Sequence, residues 1–190
     1  MPRLLENPDV TSLIALYATF PDPFLKVSPL GQAIMRNAAS PFSGAEQELI
    51  AAYVSMLNGC RYCHGIHAEV ARGFGLAPEL LEALDADLAT APIEARMRPV
   101  LALARQLTEA PARMTDAHAE AVRAAGWDDR AVVFTIATTA YFNMMNRLAD
   151  GFGLAMTPEQ AAVSARRLVE GGYTGVRDAA AARAGIDPQD

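Results

Sequence analysis

Apolar residues recur at helical spacing along nearly the whole chain. Val10, Leu13, Ile14 and Tyr17 mark one face of a helix over 10–20, and the Pro21-Asp22-Pro23 triplet is expected to end it. A second helix is expected over 29–39. Ser43-Gly44-Ala45-Glu46 has the form of a capping box, opening a helix that runs to about Leu57. Asn58-Gly59 breaks the pattern, and a new helix starts near Cys60 and stops at Gly73-Phe74-Gly75. Pro78 suits the first turn of a helix over 79–88. Further helices are predicted over 94–109, from an Asp116 cap to Ala125, over 129–150 behind an Asp128 N-cap, and over 158–170. The one over 129–150 is apolar on nearly every side in its first half, which predicts central burial. The expectation is an all-α bundle of seven or eight helices with no strand. It forms one domain over 1–172, followed by an Ala/Arg-rich tail over 173–190 that is frayed or sits at a subunit interface.

Composition agrees with this reading. Of 190 residues 52% are hydrophobic and 20% charged, an ordinary globular balance. The length supports a core without disulfide staples. A net charge of −6 argues against a dedicated nucleic-acid binder or a polybasic membrane-surface protein. Prolines and charges interrupt the first residues, so no signal-peptide core is expected there. The longest uncharged apolar stretch, Ala131 to Met145, carries three threonines and an asparagine and is shorter than the roughly 20 residues of a membrane span. The expectation is a cytoplasmic protein that does not engage membrane. In that compartment two nearby cysteines point to redox or metal chemistry rather than a structural disulfide.

The informative segment is Asn58-Gly-Cys-Arg-Tyr-Cys-His-Gly-Ile-His67. Cys60, Cys63, His64 and His67 stand at i, i+3, i+4 and i+7, one face of a helix. A C-x-x-C pair at a helix start places thiols where unpaired N–H groups and the dipole favour a thiolate. The spacing also allows a small disulfide, and a histidine one turn on can take the thiol proton. Three other readings compete. The cysteines are inert core residues, although two of them beside two histidines is unusual packing. The four side chains bind zinc, although zinc sites usually draw ligands from separated segments. Cys60-Arg-Tyr-Cys63-His64 also spells the haem c attachment string, which requires export.

The run from Glu48 through Cys60, Tyr62, Cys63 and His67 resembles the motif of the AhpD-like alkylhydroperoxidases of the carboxymuconolactone decarboxylase superfamily. The runs Arg105 to Pro111 and Ala140 to Gly153 resemble that family's peroxidase-related branch. The resemblance spans roughly residues 10–160. It implies an all-helical fold that forms a homo-oligomer, with catalytic roles for Glu48, Cys60, Cys63 and His67. The implied activity is thiol peroxidase or disulfide adaptor, needing no metal or organic cofactor. Its implied partners are a peroxide substrate and an external dithiol reductant or a partner peroxidase. The chain departs from the best-studied type at Tyr62, where that type has histidine; here His64 follows the second cysteine instead. The superfamily's decarboxylases lack the cysteine pair, which argues against decarboxylation.

Spacing adds support for Glu48. If Asn58-Gly59 joins antiparallel helices, Glu48 and His67 stand at about the same height on either side of the turn. The bland alternative is that Glu46 and Glu48 are solvated acids in a helix's first turns. His118 is read as exposed, Trp127 as a staple residue paired with Val132, and Met144 and Met145 as packing. Tyr141, Asn143, Asn146 and Arg147 either cap neighbouring helices or line a cleft over the cysteines.

Overall fold

The computed structural model describes residues 3–188, and those residues contain helices and no strand. In chain order the helices are α1 (Leu13–Thr19), α2 (Pro21–Phe24), α3 (Val27–Met35), α4 (Gly44–Leu57), α5 (Arg61–Gly73), α6 (Leu80–Ala86), α7 (Met97–Glu109), α8 (Asp116–Ala124), α9 (Asp129–Phe152), α10 (Pro158–Gly171) and α11 (Thr174–Ala184), with a 3₁₀ turn over Pro111–Arg113. This exceeds the seven or eight expected. The Pro21-Asp22-Pro23 triplet follows the end of α1 and opens α2, because a proline fits a first helical position. Pro78 lies before α6 rather than in its first turn, and α6 is cut short where Asp87 turns extended.

The local signals that held are those with a hydrogen-bond mechanism. Ser43 Oγ accepts from the Glu46 N–H at 3.2 Å, and the Glu46 carboxylate accepts from the Ser43 N–H at 2.7 Å, which fixes the start of α4. Asp128 accepts from Arg130 and Ala131 N–H groups and starts α9. Helix α8 begins one residue earlier than expected, with Thr115 as N-cap and its N–H donating to Nδ1 of a half-buried His118. Trp127 is buried against Phe42, with its indole N–H donating to the Arg96 carbonyl at 2.9 Å.

Helix α4 is the axis of the molecule. Every residue from Gln47 to Ser55 is buried, because α5, α7 and α9 all pack on it. The helix expected to be surrounded, α9, is not: Val133 is 60% exposed and Ile136 39%. Its inner face meets α4 and α7, while no element of the described chain covers the outer one. Helix α10 closes on α5, and α11 packs on α1 and α3. Residues past 172 thus form a helix docked on the N-terminal elements, with Ala180 and Ala181 fully buried. No helix among the described residues is long and apolar enough to cross a membrane.

Candidate active site

The α4–α5 hairpin builds the site. Its turn is Asn58-Gly59, where Gly59 has φ of 66°, a left-handed conformation that a side chain would strain. The turn is tied to α9: Asn58 donates to Asn146 Oδ1 at 2.8 Å and Asn143 Oδ1 at 3.2 Å, and Asn146 donates to Ser55 Oγ at 3.0 Å. Of the polar residues noted on α9, Asn143, Asn146 and Arg147 therefore brace the turn or one another, while Tyr141 lines a cavity.

Cys60 is the N-cap of α5 and Cys63 lies in its first turn. Both are reduced and buried, at 0% and 2% exposure. Hydrogen bonding by Cys63 holds the Cys60 thiol below its ordinary range against burial and nearby Asp150, and Cys60 Sγ lies 3.9 Å from the Asn146 carbonyl, to which it can donate. The hydrogen bond between the two thiols, with burial and the charge on Cys60, pushes the Cys63 thiol well up.

Across the hairpin, Glu48 is fully buried and His67 is 6% exposed. His67 Nδ1 donates to Glu48 Oε2 at 2.7 Å, so a neutral His67 presents a bare Nε2, the form a base needs. The ring sits edge-on to Phe142, with centroids 4.5 Å apart, and nearly parallel to Tyr173 at 6.1 Å. The second carboxylate oxygen, Oε1, accepts from Arg36 at 2.7 Å and from the Tyr173 hydroxyl at 3.2 Å. Burial pushes the Glu48 carboxyl up, but His67 and Arg36 outweigh it and hold it below the usual carboxylate range. Arg36 is sandwiched between the Phe74 and Tyr173 rings, 5.1 and 5.2 Å from their centroids.

The structure thus brings Glu48 and His67 together as the hairpin spacing requires, with the cysteine pair one turn before His67. It separates the other member of the expected face: His64 Nδ1 donates to the Ala52 carbonyl at 3.0 Å and braces the hairpin. The four Cys and His side chains therefore do not converge, and no group of three or more His, Cys, Asp or Glu residues gathers to hold a metal among the described residues. Sequence reasoning missed Arg36 and Tyr173. The available signal was physical: a carboxylate buried beside a histidine requires a fixed cation and a second donor.

A cavity of about 400 Å³ opens over Cys63 and His67. Its walls come from α1, α3, α5, α9, α10 and α11, and its aromatic lining includes Tyr17, Tyr62, Tyr141, Phe142 and Tyr173. Tyr62, the residue that replaces a family histidine, accepts the free Leu13 N–H of α1 at 2.9 Å and so fixes one wall. Neither Cys60 nor Glu48 lines the cavity.

These features define an all-helical protein with a buried dithiol beside a carboxylate–histidine pair. The carboxymuconolactone decarboxylase family model matches residues 21–106. An uncharacterized peroxidase-related protein from Silicibacter sp. TM1040 is 31% identical over 77% of this chain and 76% of its own, with a TM-score of 0.71. An uncharacterized peroxidase-related protein from Ralstonia eutropha JMP134, described as an alkylhydroperoxidase AhpD core, is 26% identical over 80% and 79%, with a TM-score of 0.72. The debrominase Bmp8 shares the fold alone, at 16% identity over 86% and 96% and a TM-score of 0.67. No curated protein matches. The chain belongs to the carboxymuconolactone decarboxylase family, with the AhpD-like fold.

Proposed function

We propose that the protein is a thiol peroxidase in which Cys63 attacks the peroxide and Cys60 resolves it. The observation that carries this is a division of position: Cys63 and His67 line one cavity, and Cys60 lies behind it. The raised Cys63 thiol needs a base at the moment of attack, and the bare Nε2 of His67, one turn on, is that base. The Cys63 sulfur attacks the terminal peroxide oxygen, the O–O bond breaks, and the sulfur becomes a sulfenic acid. The proton held by His67 passes to the departing alkoxide, which leaves as alcohol. Cys60, whose thiolate is favoured, then attacks the Cys63 sulfur; the S–O bond breaks, a disulfide forms, and the departing hydroxide takes a proton from solvent and leaves as water. An external dithiol reduces the disulfide and is itself oxidised, as expected in a reducing cytoplasm.

Burial of both sulfurs favours this reading over a relay to a folded partner peroxidase, which needs a sulfur at the surface. The apolar stripe of Val133, Ile136 and Met144 along α9 supports self-association. The test is a thiol count on reduced protein. One equivalent of an organic hydroperoxide should remove two thiols per chain, and an excess of small dithiol should restore them. Thiols that survive peroxide in the folded protein refute the proposal.

A further inference from the structure

One corner of the cavity is polar without any internal reason to be. Ser28, on α3, is 3% exposed, and Tyr141, on α9, is 5% exposed. Both line the cavity. Of the other hydroxyls in the lining, Tyr62 accepts from Leu13, Ser12 accepts from Ala15 and Tyr173 donates to Glu48, while Thr11 and Ser164 are less buried than Ser28 and Tyr141. The hydroxyls of Ser28 and Tyr141 have no hydrogen-bond partner among the described residues. Their unused hydrogen-bonding capacity faces the cavity, where a bound molecule can take it up.

Both hydroxyls lie along the same stretch of α3. Gly31 lies one turn after Ser28 on the same face of α3, and the Tyr141 hydroxyl rests against it: a Cβ on Gly31 would fall on that hydroxyl, 2.8 Å from Tyr141 Cζ and 2.9 Å from Tyr173 Cδ1. Glycine at 31 is what lets the Tyr141 hydroxyl lie against α3. Both are donors, because burial and then the nearby Cys63 and Glu48 charges keep the Tyr141 phenol neutral. The facing walls are apolar, with Leu13, Ile66, Met145 and Val176 among them.

We propose that Ser28 and Tyr141 form a hydrogen-bonding anchor for an organic hydroperoxide whose apolar body carries an acceptor oxygen, a carbonyl or hydroxyl, away from the peroxide. The anchor grips that oxygen, the apolar walls take the body, and the peroxide end lies over Cys63. This rests on the reading of Cys63 as the peroxide-reducing sulfur. Hydrogen peroxide gains nothing from such a cavity, whereas a molecule that fills it gains burial and orientation.

Binding of two unreactive probes to the reduced protein tests the anchor. Acetophenone carries the acceptor, and α-methylstyrene has the same shape with a methylene in its place. Titration calorimetry on the wild type, Tyr141→Phe and Ser28→Ala/Tyr141→Phe should show acetophenone weakened by about five- to tenfold per hydroxyl removed, with α-methylstyrene unchanged or tighter. Acetophenone affinity that ignores both substitutions, equal losses for the two probes, or no binding of either overturns the anchor. Thiols that resist cumene hydroperoxide while acetophenone keeps its dependence on Tyr141 overturn the peroxide reading and leave the acceptor site standing.

Discussion

Glu48 and His67 stand nineteen positions apart in the chain and 2.7 Å apart in space, with the carboxylate receiving the imidazole Nδ1–H. The contact exists because α4 and α5 fold back on each other at Asn58-Gly59. Its chemistry depends on a third residue. Arg36 meets the other carboxylate oxygen at 2.7 Å, so the buried Glu48 carboxylate has a fixed cation besides His67.

Arg36 changes what Glu48→Gln should do. Removing one member of a buried pair strands the other, which costs about 2–4 kcal/mol for a cation as covered as this one. Glu48→Gln should therefore lower the urea midpoint as well as slow the peroxide reaction, the latter by about 10- to 1000-fold. Arg36→Met/Glu48→Gln should recover most of the stability and none of the rate. A double variant as unstable as the single one would place the cost elsewhere.

The same pair predicts an acid limit to stability. In the folded state His67 and Arg36 hold the Glu48 carboxyl below its ordinary range. Its contribution is therefore complete above the unfolded-state value and is lost as pH falls through the lower folded value. Unfolding free energy should decline from about pH 5 downward, and Arg36→Met/Glu48→Gln should flatten that decline. Equal slopes for the two proteins between pH 3 and 6 would remove Glu48 from the account.

The turn before the cysteines should be brittle at Asn146. Asn146→Ala removes the shorter of the two bonds from the Asn58 amide to α9 and the bond into the Ser55 hydroxyl, at a cost of about 1–2 kcal/mol. Chemical unfolding measures this, and a change under 0.5 kcal/mol, the scale of an unremarkable surface substitution, would count against the bridge.

Gly31 tests the packing of α3 against the site. Gly31→Ala places a Cβ 2.8 Å from Tyr141 Cζ and 2.9 Å from Tyr173 Cδ1, an overpacking worth about 1–3 kcal/mol. The thermal midpoint should fall, and near-ultraviolet circular dichroism should report displaced tyrosines. A variant that matches wild type in both would show that the two rings have room to spare.

Much of this was legible in the sequence where a local hydrogen-bonding device governs the chain. Ser43 with Glu46, and Asp128 with the amides that follow it, fixed helix starts that neighbours did not alter. The antiparallel hairpin placed Glu48 against His67 by counting from Asn58-Gly59. What was illegible depends on packing between distant elements. The outer face of α9 reads as core because Val133 and Ile136 are apolar, yet only tertiary contact decides which apolar face is covered. Arg36 sits in an apolar run with no motif around it, and Tyr173 begins a segment whose composition suggests a tail. Tyr173 reaches Glu48 because α11 docks on α1 and α3, and Arg36 because α3 ends beside α4. The short helix α2 escaped for a simpler reason: fewer than two full turns leave too few positions for a period to register.

The central claim is that Cys63 is the sulfur that meets the peroxide, and trapping the sulfenic acid tests it most directly. Reduced Cys60→Ser and Cys63→Ser proteins are treated with one equivalent of cumene hydroperoxide in the presence of a sulfenic-acid-specific nucleophile, and the adduct is located by peptide mass spectrometry. The account predicts one adduct per chain, on Cys63, in Cys60→Ser. It predicts none in Cys63→Ser, whose remaining sulfur has no access to the cavity. An adduct on Cys60 in Cys63→Ser, with Cys63 unmodified in the other variant, would contradict it.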